Sequence, residues 1–410
     1  MSETGSPGLV LQLALKPDGQ GCLDDLMRNT RSRSPIIRDE TGGTFVVTGY
    51  AEVQSILSDL DLWRDPARAA TSEHFQRSFA DDLDRTLPRS EASAIVLLDD
   101  PDHSRIRRPM ALALRNRLNA CKPKIASMIR RLVDDLPADC PFDMVSRLGR
   151  LVPIDTVGLI LGVEYDRMEQ FRDWSEGTLL SLNPYRTPDQ QAHLDRARTE
   201  VDAYFVEQIK LREREGGDDL ITDLIIMRRD GWAMTDAELR TNLAALLLGG
   251  NLTTADLIST TLFLTLKSPE HWTCLRQDPG HARTLIEETL RLEPPIDITS
   301  RIASRDIQLC EAIIQKGQAL LLNLRAANRD PLVFPDPEAF QPGRHRQKPL
   351  SFGGGSHFCI GAQLARFEVE IVMQALVERF PDLRLCDPKS PGEWHSMPFF
   401  RGLLALWVQA

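Results

Sequence analysis

The chain has 410 residues, 42% of them hydrophobic and 26% charged, the balance of a globular protein with a sizeable core. A net charge of −10 and a sequence pI near 5.4 argue against nucleic acid as a partner of the whole molecule. Seven cysteines, an odd count with no CxxC and no paired spacing, argue against a disulfide framework or structural zinc and make a reducing cytoplasm the expected location.

The first residues, MSETGSPGLVLQLALKPDGQ, have no basic segment leading into a long apolar run, and LVLQLALK is too short to cross a bilayer. No membrane association is expected. TFVVTGY (44–50) alternates as a strand does, and helical patterns then dominate from about 100 to 292. The clearest helix opens at Thr235, where Glu238 completes a capping box, and ends before Pro269. About 30 residues at 1.5 Å each predict a length of roughly 45 Å. Its middle is apolar on nearly every face but is interrupted by Gly249, Gly250, Asn251 and Asp256, so it is expected to be a buried central helix. DIQLCEAIIQKGQALLLNL holds two strand-like runs, and LLALWVQA closes the chain as a further one. With no internal repeat and no Ser/Gly linker, the organisation expected is one mainly α domain over 1–410 with small β-sheets.

SFGGGSHFCIG (351–361) places Cys359 behind Gly353, Gly354 and Gly355 and before a segment with helical periodicity. Glycines let a backbone take positive φ and lie close to a flat partner. A thiol at a helix N-terminus has its thiolate form stabilised by free N–H groups and the helix dipole. These features suit a ligand to haem iron, and equally a glycine-rich turn carrying an inert cysteine.

The stretch FGGGSHFCIG resembles, without a gap, the haem-binding signature of the cytochromes P-450, with Phe352, Gly353, Gly355, His357, Cys359 and Gly361 at its defined positions. The resemblance runs from DDPDHSRIRR at 99 to the C-terminus. It implies a triangular, mostly helical fold that holds haem b between the long central helix and the cysteine-ligand helix, with Cys359 as the metal ligand. It further implies that Glu288 and Arg291 of EETLRLEPP, which any solvated helix could carry, form a buried clamp with Arg344 that supports the cysteine loop. His103 and Arg107, four apart on a helix beginning near Pro101, become partners of the haem propionates together with Arg301 and His357. Two buried carboxylates require such donors. The implied activity is that of a soluble bacterial-type haem-thiolate monooxygenase.

On the oxygen side the family carries Ala/Gly-Gly-x-Asp/Glu-Thr-Thr, and this chain reads Gly249-Gly250-Asn251-Leu252-Thr253-Thr254. Thr253 falls at the hydroxyl position that serves oxygen activation, although a threonine hydroxyl also bonds back to the preceding turn. Leu252 replaces the acid and cannot pass a proton. Asp256, one turn later on the same face, and Asn251, as an organiser of water, are the candidate substitutes.

Resemblance places substrate-pocket walls near 87–97, around 175–190, at Ile296 and Asp297, and at Phe399 and Phe400 in MPFFRGLL. There is no flavin or iron–sulfur motif, so electrons are expected from a ferredoxin-type donor with its reductase. Arg105, Arg107, Arg108, Arg115 and Arg117 form a candidate docking face, or an ordinary solvated one. Two rivals remain: a peroxide-driven or atypical haem-thiolate catalyst, raised by Leu252, and a non-catalytic haem sensor or carrier.

Overall fold

The computed structural model describes residues 31, 34–39, 44–70, 88–182, 186–344, 347–395, 397 and 399–410. LVLQLALK, residue 87 and residues 183–185 of the expected pocket segments, and Pro398 lie outside them. The chain forms two compact units, each assembled from separated segments: one from residues 1–82, 284–359 and 394–402, the other from 83–283, 360–393 and 403–410.

The first unit is built on a four-stranded sheet. Ile36–Asp39 pairs antiparallel with Thr44–Val47, which runs parallel to Ala319–Asn323, itself antiparallel to Ile298–Ile302. Because side chains alternate, the sheet fills two cores. Val46, Ile298, Ile302, Ala319 and Leu321 pack on one face, and Phe45, Val47, Leu320 and Leu322 on the other. The expected strand 44–50 is shorter than its alternation implied. It stops at Val47, and Tyr50 opens helix Tyr50–Ser58, its N–H capped by the Asp330 carboxylate at 3.0 Å. The first run of DIQLCEAIIQKGQALLLNL is itself a hairpin, Ile307–Leu309 with Ala312–Ile314, turning at Cys310 with φ +52°.

The second unit is helical. The helices include Asp102–Asp134, Leu151–Leu161, Met168–Leu179, Pro188–Glu215, Asp236–Lys267 and Ala362–Arg379. Asp236–Lys267 runs as expected from its box, the Thr235 hydroxyl accepting from the Glu238 N–H at 3.1 Å and Glu238 accepting from the Thr235 N–H at 2.9 Å. Among the described residues it is the one helix long and apolar enough to cross a membrane, yet half of its most apolar window is buried. Buried Thr254, Asp256, Ser259, Thr260, Thr261 and Thr265 mark it as a packed core helix. LLALWVQA divides into Leu403–Ala405 and Trp407–Gln409, the latter joining Phe142–Asp143 and Arg384–Leu385 in a small sheet.

Candidate functional site

Cys359 ends a loop in the first unit that is held by hydrogen bonds at both of its ends. Leu350 N–H donates to Asn328 Oδ1 (2.8 Å), Gly353 N–H to Leu350 O (2.8 Å), and Cys359 N–H to Phe352 O (2.9 Å). Ser351 donates to Leu290 O and accepts from the Asn328 side-chain amide at 2.9 Å. The thiol is exposed, and His357 and Phe352 are half-buried beside it. Helix Ala362–Arg379 starts three residues on with Gly361 as its N-cap.

The three loop glycines separate into two roles. Gly353 takes φ +70°, and a Cβ there would meet nothing closer than His357 O at 3.7 Å, so its backbone offers an open face. Gly354 is extended, and Gly355, at φ +61°, lies so near helix Tyr50–Ser58 that a Cβ would sit 2.3 Å from Leu57 O. Packing against Leu57, rather than approach to a cofactor, accounts for the glycine at 355.

Beneath the loop, Arg291 is 1% exposed and donates to both Glu288 oxygens at 2.8 and 2.9 Å. Its remaining N–H groups reach the carbonyls of Asn328 (3.1 Å), Pro337 (2.7 Å) and Ala339 (2.9 Å). Arg344 donates to Glu288 Oε1 at 3.0 Å and to Asp336, Ala339 and Pro335 carbonyls. Lysine could not serve carboxylate and carbonyls in this planar fork. Asn328, which no sequence pattern singled out, bonds this region to the loop on both sides of its amide.

Arg301, 3% exposed, lies on strand Ile298–Ile302 and donates to Ser300 O at 2.8 Å. Ile296, Asp297, Phe399 and Phe400 are brought together: Ile296 bridges Phe400, and Asp297 N–H donates to Phe399 O at 3.0 Å. Phe399 belongs to the sheet core with Ile298, Ile302 and Leu321, so packing accounts for it, whereas Phe400 is only partly buried. Asp297 is 2% exposed.

The second unit carries the remaining predicted residues. On the long helix a Cβ at Gly249 would meet nothing within 4 Å, while one at Gly250 would touch Val157 at 3.0 Å. Thr253 donates to Gly249 O at 3.1 Å, the bond to the preceding turn that sequence alone left open. Asn251 does not face open space as a water organiser would. Its buried amide donates to Ser175 of helix Met168–Leu179 at 2.5 Å. Asp256 is 4% exposed. His103, 2% exposed, lies 3.9 Å from the Asp100 carboxylate, and Arg107 is half-buried one turn on.

The arginine run is not a continuous face. Arg105 is engaged by Asp102 and Glu238, and Arg117 is buried against Asp218 and Asp223. Burial would raise the Glu238 carboxyl, but Arg105 and the Thr235 N–H outweigh it and hold it at about 2. Arg108 and Arg115 are exposed.

These residues fit a haem. Cys359 offers an exposed, soft sulfur donor, and the adjoining Gly353 backbone has an open face on which a flat ring can lie. A family model described as Cytochrome P450 matches residues 38–391. The chain belongs to the cytochrome P450 family. It is 33% identical to nocardicin C N-oxygenase of Nocardia uniformis subsp. tsuyamanensis over 368 residues, 89% of each chain. It is 30% identical to 6-deoxyerythronolide B hydroxylase of Saccharopolyspora erythraea, over 88% of each. Among solved structures, Mycobacterium smegmatis CYP164A2 superposes with a TM-score of 0.84 at 28% identity, covering 98% of this chain and 100% of that one. The protein thus has the mainly α cytochrome P450 fold and is a P450 monooxygenase, an oxidoreductase whose cofactor is haem with the Cys359 thiolate on iron.

Proposed function

We propose that this cytochrome P450, acting as a single haem domain in the cytoplasm, uses O2 to hydroxylate or otherwise oxidise a small, mostly apolar organic molecule, with electrons from a separate ferredoxin and reductase. The observation that carries this reading is the Gly249–Thr253 turn, where a helix face without a side chain stands next to a hydroxyl bonded across the same turn. Bound haem supplies reductive cleavage of O2 and insertion of one oxygen atom into substrate, helped by electron donation from the thiolate.

The chain's own residues do the rest. Phe352 covers the sulfur side, and His103, Arg107, Arg301 and His357 supply cationic or N–H donors for the two haem carboxylates. Gly249 leaves room for O2. Thr253 releases its bond to Gly249 O to hold a water, and Asp256 feeds protons to that water in place of the missing acid at Leu252. Ile296, Asp297 and Phe400 form part of the substrate wall, with Phe399 buttressing them from the sheet core.

Leu252 favours a second reading, in which hydrogen peroxide supplies the oxygen atom already reduced by two electrons together with both protons, so none need be delivered from solvent. The test uses a compound found by its shift of the ferric spin state. Product formed with NAD(P)H, ferredoxin and reductase supports the first reading. Product formed with peroxide alone supports the second, and no turnover with either supports a carrier.

A further inference from the structure

Glu293, directly after the Glu288–Arg291 helix, is buried and bonded to three arginines from distant segments. Arg325 lies 3.0 Å from Oε2, Arg329 2.9 Å from Oε1, and Arg401 Nε 3.0 Å from Oε2. Arg329 also meets Glu338 at 3.0 Å. With Glu338 on Arg329, the two cations Arg325 and Arg329 already face two carboxylates, so charge balance in this cluster does not call for Arg401. The third arginine does something else.

Arg401 closes the turn that carries Phe399 and Phe400. Its N–H donates to Pro295 O at 3.0 Å, and its guanidinium lies 3.9 Å from the Trp394 ring centroid. Phe399 holds φ +65°, a left-handed conformation that a bulky residue keeps only when its surroundings dictate it. The dictating contacts are the Asp297 N–H to Phe399 O bond, the Ile296–Phe400 bridge and the Arg401 ion pair, all converging on residues 293–297. Asp297 is fixed in turn, its carbonyl accepting from Leu324 N–H at 2.8 Å.

We propose that Arg401, anchored on Glu293, is a positioning residue that sets the distance between the Phe399–Phe400 turn and the Ile296–Asp297 segment, and thereby the size selectivity of the substrate site. This rests on the reading that these two segments wall that site. The turn is held by backbone pairings at Pro295, Ile296 and Asp297, and to these Arg401 adds the side-chain ion pair with Glu293.

The experiment compares the holoenzyme with Arg401→Met, Arg401→Lys, Glu338→Gln and Phe400→Ala. The probes are imidazole and 4-phenylimidazole, titrated by the Soret shift each produces on binding, with amide exchange of Asp297 and Arg401 followed in parallel. In Arg401→Met the ratio of the two Kd values shifts by about tenfold, while the imidazole Kd stays within about twofold. Exchange of the two amides speeds by about tenfold. Arg401→Lys restores part of both effects, and Glu338→Gln, which touches the same cluster but not the turn, moves neither. An unchanged ratio in Arg401→Met alongside a shifted one in Phe400→Ala overturns the tether. An unchanged ratio in both overturns the wall assignment as well, and an equal effect in Glu338→Gln shows general loosening of the cluster and overturns the specific role. Loss of the red-shifted reduced-CO band in the parent protein is the separate failure of the haem-thiolate reading.

Discussion

Gly355 and Leu57 are in such close register that a single added carbon on the first would lie 2.3 Å from the carbonyl oxygen of the second. The glycine also holds φ +61°. Gly355→Ala therefore meets a backbone clash and a left-handed penalty together, and neither can be relieved by rotating a side chain. The variant is expected to lose at least about 2 kcal/mol of stability. Retention of the reduced-CO band and of parental thermal stability would show that the contact is tolerant.

The Glu288–Arg291 pair predicts a loss of larger size. Both side chains are buried and bonded on every side, so Glu288→Gln leaves Arg291 and Arg344 without their shared carboxylate. Removing one partner of a buried pair costs about 3–5 kcal/mol. Denaturant unfolding and the haem content of purified protein measure it, and a difference under about 1 kcal/mol would make the pair an ordinary surface-strength interaction.

Glu368, on helix Ala362–Arg379, gives the protein a pH dependence opposite to that of most carboxylates. Burial pushes its carboxyl up to about 8, with the Thr156 hydroxyl offsetting only part of this. The native state keeps a proton that the unfolded chain has already released, so stability declines as pH rises from the ordinary glutamate value toward 8. The slope is about 1.4 kcal/mol per pH unit. Glu368→Gln removes that slope and is expected to raise stability relative to the parent more at pH 8 than at pH 5. Parallel pH profiles of the two proteins in denaturant unfolding would refute the assignment.

Glu238 carries the usual sign. Its folded carboxyl, held at about 2 by Arg105 against the cost of burial, contributes stability that is complete above the ordinary glutamate value. That contribution drains away as pH falls toward 2. Arg105→Met, by removing the guanidinium, should raise the pH at which acid unfolding begins, followed by far-UV circular dichroism across an acid titration. No change in that onset would separate the ion pair from acid stability.

Asp256 is the point at which the proposed proton route departs from the family pattern. With Leu252 unable to titrate, Asp256→Asn is expected to lower product formed per NAD(P)H consumed by roughly tenfold, with NAD(P)H consumption itself little changed. An unchanged ratio removes Asp256 from the route. Thr253→Ala then tests whether the hydroxyl alone organises the water.

Much of what could be read from the chain was a relation between near neighbours, although the family resemblance also joined Arg344 to Glu288 across 56 residues. The Thr235–Glu238 box follows from spacing alone, whereas the Glu288–Arg291 pair one turn apart and the Phe352–Cys359 signature, also local, took their roles from the family resemblance. The same locality carried the family and the cofactor chemistry. Tertiary structure alone decided the rest. Asn251 meets Ser175 across 76 residues, Arg401 meets Glu293 across 108, and Arg117 is drawn under Asp223 out of a run that read as a docking face or a solvated one. No periodicity marks such pairs, because which polar groups share a buried site is fixed by how helices and turns pack. Each group then takes the nearest partner that meets the cost of its desolvation.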